Sequence, residues 1–270
     1  MMFNYLKLEF HKFRKSPVVR LLAIFYVVFF PLGYLFGVEI QDNLPSFIKS
    51  RATMLEFPDV WNYMGYGGSW LAFFFLGIIA AYIIGLEYQY KTFRQSIING
   101  MSRHDFFVSK FIAIGTIALL ATAYYAIVCF VIGFIHTENA TSIFADNLVM
   151  IPRYFLMCLG YMSFAVLITL LAKRSGLAVF VYFSYVMIIE HLLKWAIHYK
   201  IFPNETVNYY PSNVIEDLTP NPMWSYAEAI PQKEIDFEFV LNPQAATIAT
   251  IIYIALFTFA SYRIITKSDV

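Results

Sequence analysis

Apolar runs separated by short polar stretches dominate the chain. Six runs are long enough to cross a bilayer as helices, which needs about 20 predominantly apolar residues. They cover residues 18–38, 67–86, 106–135, 154–172, 177–197 and 245–262. Pro31 predicts a kink in the first span, tolerated where neighbouring helices satisfy the freed backbone. Residues 1–17 carry a different pattern. Phe3, Leu6, Phe10 and Phe13 recur at helical spacing, and Lys7, His11, Lys12, Arg14 and Lys15 fill the remaining face. This predicts an amphipathic helix lying in the membrane interface, where its bases meet anionic lipid. Its basic region and the apolar run behind it are too long for a cleavable signal peptide, and no small-x-small site follows.

The polar stretches between spans differ in length. Residues 39–66 are expected outside the bilayer, with a helix start at Pro45-Ser46, and Trp61, Tyr63, Tyr66 and Trp70 as interfacial aromatics. Residues 173–176, Lys-Arg-Ser-Gly, form a tight basic turn. Residues 201–243 make the longest extracytoplasmic segment, in which Glu205, Glu216, Asp217, Glu228, Glu234, Asp236 and Glu238 face the single base Lys233. Short interfacial helices are expected there, for example over Met223 to Ala229.

The stretch from Glu87 to Lys110 stands apart, because a mere connector could be far shorter. Lys91 to Asn99 lacks Gly and Pro and sets Phe93 and Ile97 on one helical face. Gly100 sits where a helix takes a left-handed stop. Ser102 with Asp105 three residues on reads as a capping box opening the next helix, which begins at Arg103. A short helix against the membrane, with basic flanks, suits contact with a cytoplasmic partner. Glu87 at the end of the second span should pair with a base of the entry helix or of the loop, such as Arg94 or Arg103.

Composition agrees with the pattern. Hydrophobic residues make up 60%, charged residues 14%, and mean hydropathy is +0.62, far from the roughly one-quarter charge of soluble domains. The chain reads as an all-α integral membrane protein with no water-soluble domain. Cys129 and Cys158 lie in apolar runs and read as small buried hydrophobes. There is no nucleic-acid signature. The bases then fix an orientation. Lys7, Lys12, Arg14, Lys15, Arg20, Lys91, Arg94, Arg103, Lys110, Lys173, Arg174, Arg263 and Lys267 share one side, 13 of the 19 in the chain. The positive-inside rule predicts that this side, with both termini and the 88–105 loop, is cytoplasmic.

Glu87, Thr92, Arg94, the Gly100-Met101-Ser102-Arg103 turn and Lys110 resemble the signature of permease subunits of type-2 ATP-binding-cassette exporters. Lys91 stands where that family often has Gly, and Gly-Met where Pro commonly precedes Ser-Arg. The resemblance implies one permease domain over 1–270, with an interfacial entry helix (1–17) resting on the ATPase and a coupling helix between spans two and three. It implies Glu87, Thr92, Phe93, Arg94, Ile97, Ser102 and Arg103 as the residues coupled to that ATPase. It also implies a homodimer or a pair of related permeases, a cytoplasmic ATPase subunit that binds ATP and Mg, surrounding lipids, and a bacterial inner membrane.

The sequence holds no HExxH, GxSxG or GxxxxGK[ST] motif and no zinc-spaced Cys/His cluster, so any ATPase must be a separate chain. No catalytic residue, metal ligand or cofactor of its own is expected. The fifth span carries Glu190, His191, Lys194 and His198. Glu190 and Lys194 are four apart and expected to pair along the helix. Ionisable residues in a membrane are site candidates by default, so a membrane-embedded enzyme using Glu190, His191 and Lys194 is one alternative. A non-transporting anchor or immunity protein is the other.

Overall fold

The computed structural model of the chain describes residues 2–43, 54–222 and 240–267, and only the backbone of 2–8 and 40–43. All regular structure among these residues is helical. Five helices are long and apolar enough to cross a membrane, and a bent pair makes six if counted as one span. The chain is a multi-pass membrane protein.

The entry helix α1 (Met2–Lys15) leads through Ser16 into α2 (Pro17–Asn43). Pro17 is the first residue of α2, where a missing N–H leaves no helical bond unmade. α3 (Asp59–Gln89) is followed by the short α4 (Thr92–Ile98) and the long α5 (Arg103–His136). A single turn, α6 (Ala140–Ile143), precedes α7 (Met150–Ala172). Residues 175–201 form α8, bent by 41° between Ser175–Ile189 and Leu192–Ile201. A 3₁₀ turn (Glu205–Tyr209) and the short α9 (Pro211–Glu216) then lead to α10 (Pro243–Lys267). The expected helices at Pro45-Ser46 and Met223 to Ala229 lie outside the described residues, as do Glu228, Lys233, Glu234, Asp236 and Glu238. The side chains of Phe3, Leu6 and Lys7 do too.

α7 is the centre of the bundle. It packs against α3, α5, α8 and α10, and with α3 it is the most buried of the long helices, 61% and 67% of their most apolar windows against 17% for α2. Tyrosines knit this centre. Tyr125 of α5 stacks on Tyr154 of α7 at 4.1 Å with the rings 3° from parallel. The Tyr154 hydroxyl meets that of Tyr26 at 2.8 Å, and Tyr125 donates to the Trp61 carbonyl at 2.7 Å. Each buried hydroxyl thereby keeps a partner in surroundings that offer no water.

α3 starts eight residues before the span expected at 67–86, and this changes the role of its aromatics. Trp61 is fully buried, not an interfacial anchor. Its ring stands edge-on to Phe130 at 5.0 Å and beside Phe57 at 5.8 Å. The glycines of this segment allow the approach: a Cβ on Gly68 would fall 2.6–2.7 Å from the Tyr154 and Phe30 rings. Farther along, α3 widens into a π-turn at Ala72–Leu76. There the Tyr182 hydroxyl of α8 donates to the Phe73 carbonyl at 3.0 Å. A side chain inserted beside the ladder is a known cause of such turns.

Gly68→Ala should therefore destabilise the bundle by about 1–3 kcal/mol, the usual cost of overpacking. Gly67→Ala, where a Cβ meets nothing within 4 Å, should be close to neutral. Circular dichroism of both variants through a denaturing-detergent titration checks the contrast.

Candidate functional site

The last turn of α3 brings Glu87 to the end of the bundle where the bases collect. Glu87 is 4% exposed, Glu9 of α1 is 2% and Lys110 of α5 is 1%. The Lys110 ammonium donates to Glu9 Oε2 at 2.7 Å and also to Glu87 Oε1. Lys12 of α1 donates to Glu87 Oε1 at 2.8 Å and lies 3.7 Å from Glu9. Two acids and two bases thus form one neutral cluster joining three helices. Burial works against the Lys12 charge, but the hydrogen bond and charge of Glu87 outweigh it and raise its pKa above the ordinary lysine value.

The fourth element joined to the cluster is α4. Thr92, its first residue, donates to Glu87 Oε2 at 2.5 Å. The turn between Glu87 and Thr92 closes because Lys91 takes a left-handed backbone, φ 56° and ψ 21°. This is the position at which the sequence departs from the resembled signature by carrying Lys for Gly. α4 then ends on Gly100 at φ 92°, with Met101 N donating to Ser96 O at 3.1 Å across it, the six-to-one bond of a Schellman stop. Ser102 Oγ caps α5 by accepting from Asp105 N at 3.0 Å, and it also hydrogen-bonds to the Asp105 carboxylate at 2.6 Å.

Phe93 is buried between Tyr88 (5.6 Å, stacked) and Phe106 (4.7 Å, edge-on), and Ile97 is partly buried against the core. The opposite side of α4 is open. Arg94 is exposed, Ile98 is 71% exposed and Tyr90 just before it 68%. Arg103 turns away from Glu87 and donates to the Thr266 carbonyl at 2.6 Å, at the last turn of α10. Glu87 thus pairs with a base of the entry helix, Lys12, as the sequence led one to expect, and with Lys110 of α5; the loop bases Arg94 and Arg103 do not meet it. Lys110 could have been read from the sequence as a base two turns inside a helix. Glu9 carried no such signal, and neither did the open pair Tyr90 and Ile98.

The opposite end of the bundle holds the second polar group of the sequence reading. Glu190 caps α9: Ser212 N donates to its Oε2 at 3.0 Å and Asn213 N to its Oε1 at 2.8 Å. A carboxylate at a helix N-terminus meets unpaired N–H groups and the positive end of the dipole. The expected Glu190–Lys194 pair is not formed; Lys194 donates to Asn213 Oδ1 at 2.5 Å. Both partners are taken up by α9 instead: its backbone N–H groups occupy the two Glu190 oxygens and its Asn213 holds the Lys194 ammonium. The helix is π-helical from Leu192 to His198. Asp217 accepts from Leu241 N at 3.1 Å and from Asn213 Nδ2 at 2.8 Å. Burial pushes its carboxyl up to about 7, against that backbone bond and the charge of Lys194. His191 lines a small cavity beside Glu190 and Lys194. Among the described residues no His, Cys, Asp and Glu grouping suits a metal ion.

Residues 5–189 match the model of a family described as ABC-2 family transporter protein. The match takes in α1 to α7, the cluster around Glu87 and the first half of α8. No curated protein matches the chain.

Three outcomes follow from these contacts. Lys110→Met leaves two buried carboxylates to Lys12 alone and should cost about 3–5 kcal/mol, the loss typical of breaking a buried ion pair. Adding Glu87→Gln to it should cost less than the two single changes together, since they share one network; the same unfolding titration reads both. At Lys91, substitution by Gly should relieve on the order of 1 kcal/mol of left-handed backbone cost, while Val should add to it. At the other end, an acid whose pKa is raised on folding binds its proton more tightly in the native state. Stability should accordingly rise as pH falls from about 7 towards the ordinary aspartate value near 4, and Asp217→Asn should flatten that dependence in thermal unfolding scans.

Proposed function

This chain belongs to the ABC-2 family of transporter proteins, and on that premise we propose that it is the membrane-spanning permease subunit of an ATP-driven exporter. The subunit works as a homodimer or beside a related permease, in a bacterial inner membrane, with both termini and the 88–105 loop cytoplasmic. The excess of bases at that end supports this orientation. The sequence carries no P-loop, so a separate cytoplasmic ATPase subunit binds ATP and Mg and docks on the loop. α4 is the coupling helix, and Glu87, Thr92, Phe93, Arg94, Ile97, Ser102 and Arg103 hold or present it.

The observation that carries this reading is the pairing of an open face with a rigid base. Tyr90, Arg94 and Ile98 are exposed on and beside α4, while Glu87 and Thr92 fasten its start to α1, α3 and α5. A push on that face moves three helices as one body, and transport needs two arrangements whose balance the push can shift. Within this division of labour Tyr90, Arg94 and Ile98 meet the ATPase, Phe93 and Thr92 seat the helix, and Ser102 and Arg103 hold the start of α5. The alternative of a membrane-embedded enzyme at Glu190, His191 and Lys194 has less behind it, because both Glu190 oxygens are engaged by the backbone of α9.

The test is recovery of the tagged full-length chain from its native membranes in mild detergent. Wild type should bring down a P-loop ATPase whose hydrolysis it stimulates. Arg94→Glu and Ile98→Asp should each reduce that recovery about tenfold, as expected for central interface residues, with the variants still folded by size-exclusion profile. Full recovery with both variants would remove α4 as the docking site. Absence of any P-loop ATPase beside wild type would remove the permease reading itself.

A further inference from the structure

A second feature of the basic end is a cleft of about 1270 Å³ between the α1–α2 junction, the end of α3 and the α7–α8 turn. Five bases line it: Lys12, Lys15, Lys91, Lys173 and Arg174. No carboxylate does. Lys12 is engaged by Glu87, whereas the other four are exposed and, among the described residues, have no acid within ion-pair distance. Four unpaired cations gathered around one concavity repel one another unless an anion occupies it.

The walls say what kind of anion. Below the bases the cleft is apolar and aromatic, reaching Leu86 and Tyr82, the latter about 10 Å along α3 from its end at Gln89. At its mouth Val18 is 36% exposed and Leu177 50%, and exposed apolar side chains continue from them along α2 (Leu21) and α8 (Phe180). The open side of the cleft thus borders surface suited to hydrocarbon, with the cations above it at the ends of the spans. An ion dissolved in water or an acidic segment of a soluble partner would leave that apolar wall unused. An amphiphile with an anionic head fits both parts.

We propose that this cleft seats the phosphate-bearing headgroup of an anionic membrane lipid, with its acyl chains running down the groove beside Val18 and Leu177. The proposal requires only that the spans cross a bilayer, and stands apart from what the chain transports. Bound there, the lipid neutralises the α7–α8 turn and links it to Lys15 of α1 and Lys91 of the α3–α4 turn.

The full chain is reconstituted in nanodiscs of equimolar phosphatidylcholine and phosphatidylglycerol, re-extracted in mild detergent, and its retained lipids are counted by mass spectrometry. Wild type should keep phosphatidylglycerol in preference to phosphatidylcholine. K173Q/R174Q should lower that retention on the order of tenfold, from the worth of a base near an anionic surface. K15Q/K91Q, acting from α1 and the α3–α4 turn, should do the same and decides the matter if the first pair folds poorly. R14Q/K267Q removes the same charge from the same end outside the cleft and should change little. Equal retention of both lipids by wild type, or an equal loss with R14Q/K267Q, would overturn the site. So would displacement of the lipid by glycerol phosphate, which would make the ligand a soluble anion, or by polyglutamate, which would make the cleft a protein-docking surface.

Discussion

The arrangement of the basic end depends on a lysine that has almost no water. Lys110 is 1% exposed, and a charge in that position is tolerable only when its neighbours replace hydration. They do so on three sides: Glu9, Glu87, and the Phe106 ring 5.2 Å from the ammonium. Each carboxylate in turn has Lys12 within reach. The cluster is neutral as a unit and unfavourable in fragments, so α1, α3 and α5 keep their relative placement or lose the whole network. Hydrophobic contacts could hold these helices together as tightly, but they would tolerate sliding. Hydrogen-bonded charges in low dielectric do not.

The same constraint explains what could and could not be read from the sequence. A span is a local property, since about 20 apolar residues announce themselves without reference to the rest of the chain, and the long helices stand close to the runs that predict them. The stop at Gly100 and the cap at Ser102 are local as well, because both act within a few residues. The partners of Glu87 are not local. Lys110 is 23 residues away and Lys12 is 75; the entry helix was an expected source of a base, but nothing in spacing or composition singles out Lys12 within it or adds Lys110. Trp61 illustrates a different failure. Beside Tyr63, Tyr66 and Trp70 it has the composition of an interfacial belt, yet its burial depends on Phe57, Phe130 and the glycines that let α3 approach its neighbours. The π-turn of α3 was equally out of reach, because it meets the Tyr182 side chain of another helix. So was the separation of Glu190 from Lys194, because each is engaged by α9, which follows later in the chain.

The two ends of the bundle handle buried charge in different ways. At the basic end acids meet bases directly. At the other end Glu190 and Asp217 are met mainly by backbone N–H groups of α9 and Leu241, with Lys194 displaced onto Asn213. Amide capping holds a short helix in place without demanding a matching base, and this suits a segment rich in acids. It also leaves Asp217 in a position where burial outweighs its partners, which is why its carboxyl is pushed to about 7 while the charges at the basic end are matched one for one.

Under the permease reading, this contrast says where the bundle can give. A force arriving at α4 meets a block of three helices fixed by charge, so the block moves as a lever and does not deform. Compliance has to lie farther along, where the helical ladders are already irregular: the π-turn of α3 at Ala72–Leu76 and the two of α8 at Tyr185–Ile189 and Leu192–His198. α3 and α8 are linked near these turns by the hydroxyl of Tyr182 on the Phe73 carbonyl. A displacement of α3 at its charged end would therefore reach α8 through one hydrogen bond and the rings packed around it. From α8 it would pass to the Glu190 cap at the far end. Charge fixes the handle, and the widened turns supply the joints.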